Sequence, residues 1–257
     1  MESQSVRAVE RAIDVLDTLK SRNEGARISE ISQELGLARS TVHRVLVALA
    51  KKGMVYQQAG SERYVIGHKA LELAFSAVQH LDIIRLTMSY LEELRDRLGE
   101  TTALALKVGL RYTYVSQVTS LNEYRVNPVM GQQYPLHWAA TGKAILAFVR
   151  DSELNECLKV VPHLFATART IVDPDLLLEQ LEQVRQTGFA FSFGERNVGA
   201  AAVAAPLRNR QGYAHAAIAV VGPESRFRQI DLDRLGRTVV ETAQKVEALC
   251  QFFGLGD

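Results

Sequence analysis

The stretch Arg27–Gly53, RISEISQELGLARSTVHRVLVALAKKG, constrains this chain more than any other. Its spacing predicts two short helices with a sharp turn between them. The first runs from about Ser29 to Leu35 and stops at Gly36, a residue suited to the left-handed conformation that closes a helix. The second starts near Ala38 and continues to about Lys52, where Gly53 ends it. Val42, Val45, Leu46 and Leu49 fall at i, i+3, i+4 and i+7, which makes one stripe to be buried. Ser40, His43, Arg44, Val47 and Lys51 repeat that spacing on another face. From Ala38 to Gly53 the cations Arg39, Arg44, Lys51 and Lys52 are accompanied by no acid.

A helix with one face in a small core and a basic, hydroxyl-bearing face outward suits the DNA major groove. Arg and Lys neutralise phosphates, while Ser, Thr, His and Arg reach base edges. A solvated surface helix would carry the same charges, so the surroundings decide. After Gly53 come Met54–Gln57, a polar turn Gln58-Ala59-Gly60-Ser61-Glu62, and Arg63–Gly67, a hairpin pattern. Two helices plus such a wing make a winged helix-turn-helix, whose second helix enters the major groove. Arg39 and Arg44 are expected to contact phosphate or guanine, Ser40, Thr41 and His43 backbone and base edges. Arg63 on the wing is expected at the backbone or minor groove. A winged helix that binds protein instead stays open; it would lack the steep salt dependence of a DNA reader.

Ser5-Val6-Arg7-Ala8-Val9-Glu10-Arg11-Ala12, Leu37–Arg44 and Tyr64-Val65-Ile66-Gly67 together resemble the IclR family of bacterial transcriptional regulators. The rest of the chain bears on the same resemblance. At 257 residues it has room for two domains. Residues 1–80 hold 11 Lys+Arg against 9 Asp+Glu, and residues 81–257 hold 19 against 20, so the basic excess is local to the reading helix. Two cysteines, Cys157 and Cys250, without a CxxC or Cys/His cluster, point to neither zinc nor a disulfide framework, and no cofactor is expected. A charged N-terminus and the lack of a long apolar run predict a cytoplasmic chain with no membrane partner.

Val6, Val9, Ala12, Ile13, Leu16 and Leu19 predict an N-terminal helix supporting the reading helix. The expected organisation is a DNA-binding domain over 1–67, a stiff connecting helix over 68–81, and an effector-binding and oligomerisation domain over 82–257. The connecting helix carries Ala70, Leu71, Leu73, Ala74 and Val78 on more than one face, suited to a second chain. In the last domain helices are expected at Ile84–Leu98, Thr141–Arg150, Pro174–Thr187 and Leu232–Phe252. Strands are expected at Thr101–Val108, Arg111–Val118, Tyr124–Met130, Phe189–Phe193, Ala200–Leu207 and Tyr213–Val221. That is an α+β, GAF-like sensor domain, a mixed sheet flanked by helices.

Gly131–Ala144, GQQYPLHWAATGKA, takes a Pro-containing loop into small residues at a helix start. Free backbone N–H groups there suit a carboxylate; a tight helix–sheet packing corner would ask for the same small residues. Pro135-Leu136-His137 before Gly142-Lys143-Ala144, Thr170–Pro174, Gly199–Pro206, and Gly222-Pro223 with Arg226 also match the family, in order. The resemblance implies a small organic-acid effector. The backbone of Ala140 and Thr141 would hold the acid, with Tyr134, Val126 and Ala200 as walls. Ser192 and Ala202 would lie on the floor. Ser192 stands where an acidic residue can occur in relatives and Ala202 where a Cys is frequent, which implies a roomier pocket and an aromatic acid.

The alternative is a winged helix fused to a catalytic domain acting on a small carboxylate. His137, Asp173, Glu195 and His215 are scattered, however, and form no nucleophile-elbow, Walker or paired-carboxylate pattern. The chain is therefore expected to be no enzyme but a ligand-responsive regulator, more a repressor than an activator. It would bind a palindromic double-stranded operator as a homodimer or, as the resemblance implies, a homotetramer.

Overall fold

A computed structural model of the chain describes residues 2–22, 24–79 and 82–255. It divides into two compact units, Met1–Leu81 and Asp82–Asp257. In the first, the elements are α1 (Glu2–Lys20), α2 (Ile28–Leu35), α3 (Arg39–Lys51), β1 (Val55–Gln57), β2 (Tyr64–Ile66) and α4 (His68–Gln79). Gly36 closes α2 at φ +64°, and the Ser32 hydroxyl donates to the Leu37 carbonyl (2.6 Å), which fixes the turn into α3. Val15, Leu19, Ile31, Val42, Leu46 and Val55 form the small core, each burial contributing about 1.5–3 kcal/mol.

The predicted stripe of α1 is corrected. Val15, Thr18 and Leu19 carry the buried face, while Val9 and Ile13 are 59% and 53% exposed. The two sets lie on different faces of a 3.6-residue helix. The side chains of Val6, Ala74 and Val78, and the predicted helix end at Leu81, lie outside the described residues.

Where the wing meets α4, backbones touch. Gly67 N–H donates to Met54 O (2.8 Å) and Lys69 N–H to Gly53 O (3.1 Å). A Cβ on Gly67 would stand 2.2 Å from Gly53 O, so only glycine permits this approach.

The second unit runs α5 (Asp82–Leu98), β3 (Thr101–Val108), β4 (Arg111–Val118), β5 (Gln133–Pro135), α6 (Ala139–Leu146), α7 (Asp151–Val160), α8 (Pro174–Thr187), β6 (Ala190–Phe193), β7 (Ala200–Arg208), β8 (Ala214–Pro223), α9 (Glu224–Phe227) and α10 (Leu232–Phe252). The strands form one sheet in the order β5-β4-β3-β8-β7-β6, and all five pairings are antiparallel. The expected mixed sheet is thus corrected; among the described residues the one parallel link is the isolated bridge Tyr114–Met130. Tyr124–Met130 is otherwise irregular, and the edge strand instead comes from Gln133–Pro135. Pro135 lacks a donor, which an edge position tolerates and a central one does not. The helix predicted over Thr141–Arg150 ends at Leu146, and Arg150 is the cap before α7, where its N–H donates to Glu153 (3.4 Å). Among the described residues no helix is long and apolar enough to cross a membrane.

α5 and α10 pack on one face of the sheet. The opposite face is floored by Ala103, Ala105, Ala202, Ala204, Ala217 and Ala219, and α6 lies on it, buried along all eight residues. Small side chains bring this helix close; a Cβ on Gly142 would stand 2.4 Å from Leu136 O. Such depth leaves Lys143 only 1% exposed, and its Nζ donates to Glu195 Oε1 (2.6 Å) and Gln180 Oε1 (2.7 Å). Burial pushes the Lys143 ammonium pKa down and the Glu195 carboxyl up, each shift opposed by the partner's charge. Lys143→Met would leave a buried carboxylate without a counter-charge, at a cost of about 3–5 kcal/mol. We expect a lower urea midpoint, read from Trp138, the sole tryptophan, with much of the loss returned by adding Glu195→Leu. A Lys143→Met protein unfolding at the wild-type urea concentration would deny the pair this role.

Candidate functional sites

α3 presents two faces. Val42 and Leu46 are fully buried and Val45 and Leu49 half-buried; Arg39, Ser40, His43, Arg44, Val47 and Lys51 are exposed. Thr41 is half-buried. With Arg44 it lines a cleft of about 300 Å³ against Ala8, Arg11 and Ala12 of α1. Arg39, Arg44, Lys51 and Lys52 form no ion pair among the described residues. The acids of neighbouring α2 are engaged elsewhere. Glu34 pairs with Arg22 (2.7 Å); Glu30 accepts from the Arg27 N–H (2.9 Å) and faces Arg63 (3.3 Å) and Arg22 (3.8 Å). The Arg27 N–H, then these guanidiniums, hold the Glu30 carboxyl below its ordinary range. Positive charge on α3 is left uncompensated.

Arg63 is turned inward. Tyr64 pairs with Ala26 through two backbone hydrogen bonds (2.8 and 3.0 Å), which brings the start of β2 against Gly25. The Arg63 guanidinium then donates to Gly25 O (2.8 Å) and Glu30. It ties the wing to α2, where the sequence suggested a guanidinium free for a ligand.

In the second unit the effector residues expected from sequence gather on the α6 side of the sheet. Tyr134, Ala140 and Ala202 are buried in one cluster with Val126 packed against it. Ser192 is buried and pairs in register with Ala202, Thr141 is fully buried, and Ala200 is half-buried at the start of β7. Trp138 precedes α6 with no side-chain bond to the helix, its indole N–H donating to Leu164 O (3.3 Å) instead. Ala139, the first residue of α6, has φ +56°, a left-handed conformation costing about 1–2 kcal/mol in a non-glycine residue.

Sequence reasoning missed the groups that surround this helix start. Tyr112 and Tyr114, two apart in β4, share a face, and Tyr134 lies opposite Tyr112 across the sheet edge. Their rings meet at 5.4–6.2 Å. The Tyr114 hydroxyl bonds the Thr141 hydroxyl (2.8 Å), and Tyr112 donates to Trp138 O (3.4 Å). The Arg196 guanidinium stacks 4.6 Å from the Tyr134 centroid and 5.4 Å from that of Tyr114. Burial raises the Tyr112 and Tyr134 phenols above their ordinary range. His137 is buried with Nε2 against Leu164 O (3.0 Å), and burial lowers its pKa; it packs beside Trp138. Strand periodicity carries a signal for the tyrosines. None marks Arg196.

Among the described residues no His, Cys, Asp or Glu cluster could hold a metal ion. Comparison with known proteins agrees with this division of labour. Residues 8–59 match the IclR helix-turn-helix domain, and residues 75–248 the C-terminal domain of the bacterial transcriptional regulator IclR. The chain is 31% identical over 245 residues to the HTH-type transcriptional regulator BhcR of Paracoccus denitrificans, covering 95% of this chain and 88% of that one. It is 27% identical to the transcriptional repressor IclR of Escherichia coli, covering 94% and 89%. The crystal structure of an IclR regulator from Alicyclobacillus acidocaldarius superposes with a TM-score of 0.83 at 28% identity, covering 94% and 98%. These relatives are named as regulators rather than enzymes. The chain belongs to the IclR family of bacterial transcriptional regulators.

Proposed function

We propose that the chain is a ligand-responsive repressor acting in the cytoplasm. Residues 1–67 read DNA, 68–81 connect, and 82–257 bind an effector and other copies of the chain. The observation that carries this reading is the exposed face of α3, basic and uncompensated, on a helix anchored by Val42 and Leu46. Arg39 and Arg44 contact phosphate or guanine, and Ser40, Thr41 and His43 contact backbone and base edges. Arg63 braces the wing through Gly25 and Glu30. Exposed Val9 and Ile13 on α1, with Leu71 and Leu73 on α4, are apolar surface suited to subunit pairing, as a homodimer or homotetramer. Two-fold symmetry of the subunits calls for a near-palindromic operator.

The effector is an organic acid held near the first turn of α6, with Ala140 and Thr141 behind it and Val126, Tyr134 and Ala200 around it. The small Ser192 and Ala202 leave room for an aromatic body. It acts only through differential affinity for two arrangements of the reading heads.

Three outcomes follow for the full chain and the DNA upstream of its own gene. Arg44→Ala weakens operator binding by about 1–3 kcal/mol in a gel-shift titration while binding to random DNA holds, if the guanidinium reads guanine; equal losses make it a phosphate contact. Retardation falls steeply as salt rises, by roughly 0.9 log units in affinity per log unit of salt for each phosphate neutralised; a flat profile replaces the DNA reading with a protein-binding one. An acid present at a hundredfold its Kd adds about 2.7 kcal/mol to stability and raises Tm. If no carboxylic acid in a broad panel shifts the melt, the effector assignment fails.

A further inference from the structure

Among its described residues, the second unit carries a partly buried cation without a counter-charge. Arg196 sits partly buried beside three tyrosines, and among the described residues no carboxylate lies within 4.0 Å of it. Its sequence neighbour Glu195 is committed to Lys143, and Glu224 to Arg169 and Arg228. Arginine does not shed its proton, so the charge persists wherever the side chain goes. Aromatic faces attract a guanidinium but do not neutralise it. Of its donors only Nη1 is engaged, by the Tyr112 and Tyr114 hydroxyls at 3.5 Å, the outer limit of a hydrogen bond. Nε and Nη2 make no hydrogen bond among the described residues, and with Nη1 they form the fork that matches a carboxylate.

The backbone holds this fork in place. Glu195 O accepts from the Thr170 hydroxyl (2.6 Å), Gly194 O accepts from Thr167 (2.7 Å), and the Glu195 side chain is locked inward on Lys143. Arg196 therefore leaves a fixed turn and lies on Tyr134 and Tyr114, and Tyr114 in turn bonds Thr141 on the first turn of α6. One end of the cluster is a helix start and the other a permanent cation, which both favour an anion.

We propose that Arg196 is the specificity-determining residue of the effector site: it takes the effector's carboxylate in its guanidinium fork, so the site selects acids over neutral molecules of the same shape. This rests on the effector assignment above and adds to it the group that recognises the ligand's charge.

The test uses the full chain in calorimetric titrations with four acids, benzoate, phenylacetate, pyruvate and succinate, each beside its uncharged amide. For at least one pair the wild type binds the acid about tenfold or more tightly than the amide, the scale of one charge-assisted interaction. In Arg196→Gln that preference disappears, the acid losing about tenfold or more in affinity beyond any change in the amide. Arg196→Lys keeps part of the preference. Three results overturn the proposal: an acid preference that survives in Arg196→Gln, acid and amide weakened alike in that variant, or no acid binding to the wild type. Operator retardation measured alongside separates the two claims. Acid binding that depends on Arg196 but leaves retardation unchanged removes the regulatory reading and keeps this residue's role.

Discussion

Close approach of α6 to its alanine floor is the constraint from which the second unit's chemistry follows. Six alanines on one sheet face and the bare Cα of Gly142 let the helix sink until every residue of it is buried. A lysine at that depth needs a counter-charge, and Glu195 supplies it from the loop between β6 and β7. That loop is thereby drawn inward, and the next residue, Arg196, lies on the tyrosines beside the helix start. Packing and electrostatics are one arrangement here, because the ion pair that makes the burial tolerable also sets where the unpaired cation stands.

The first unit treats charge in the opposite way. Arg22 and Arg63 take up the carboxylates of α2, so α3 reaches solvent with its cations free. Where the second unit places one unsatisfied cation among aromatic rings, the first spreads several over an open helix face. An enclosed site suits a small ligand of defined shape; an open, solvated one suits a polyanion whose counterions leave on contact.

Much of this was legible in the sequence. Helical periodicity and glycine stops located α2, α3, α5, α8 and α10 to within a residue or two, and alternation with glycine turns located β3, β4, β7 and β8. What escaped has identifiable causes. β5 hides behind Pro135, which reads as a loop unless the strand is known to be an edge. α7 went unpredicted, since the expected helix stopped at Arg150 and the start of α7 depends on capping by Glu153 rather than on a break in periodicity. The antiparallel order of the sheet depends on which strands pair across long separations, and one-dimensional patterns do not record that. Among the candidate residues of the second unit, those at the start of α6 were proposed through family resemblance, and Tyr112 and Tyr114 stood in plain alternation. Arg196 and the inward turn of Arg63 depend on tertiary partners far away in sequence, so no local pattern announced either.

The contact of Gly53 with Gly67 has a mechanical consequence. Backbone hydrogen bonds join the end of α3 to the beginning of α4 with no side chain between them to act as a cushion. A shift at the root of α4 is therefore transmitted to α3 as motion of one stiff piece, like a key turned by its bow. The pose of α3 relative to α4 is set by two glycines that carry no side chain.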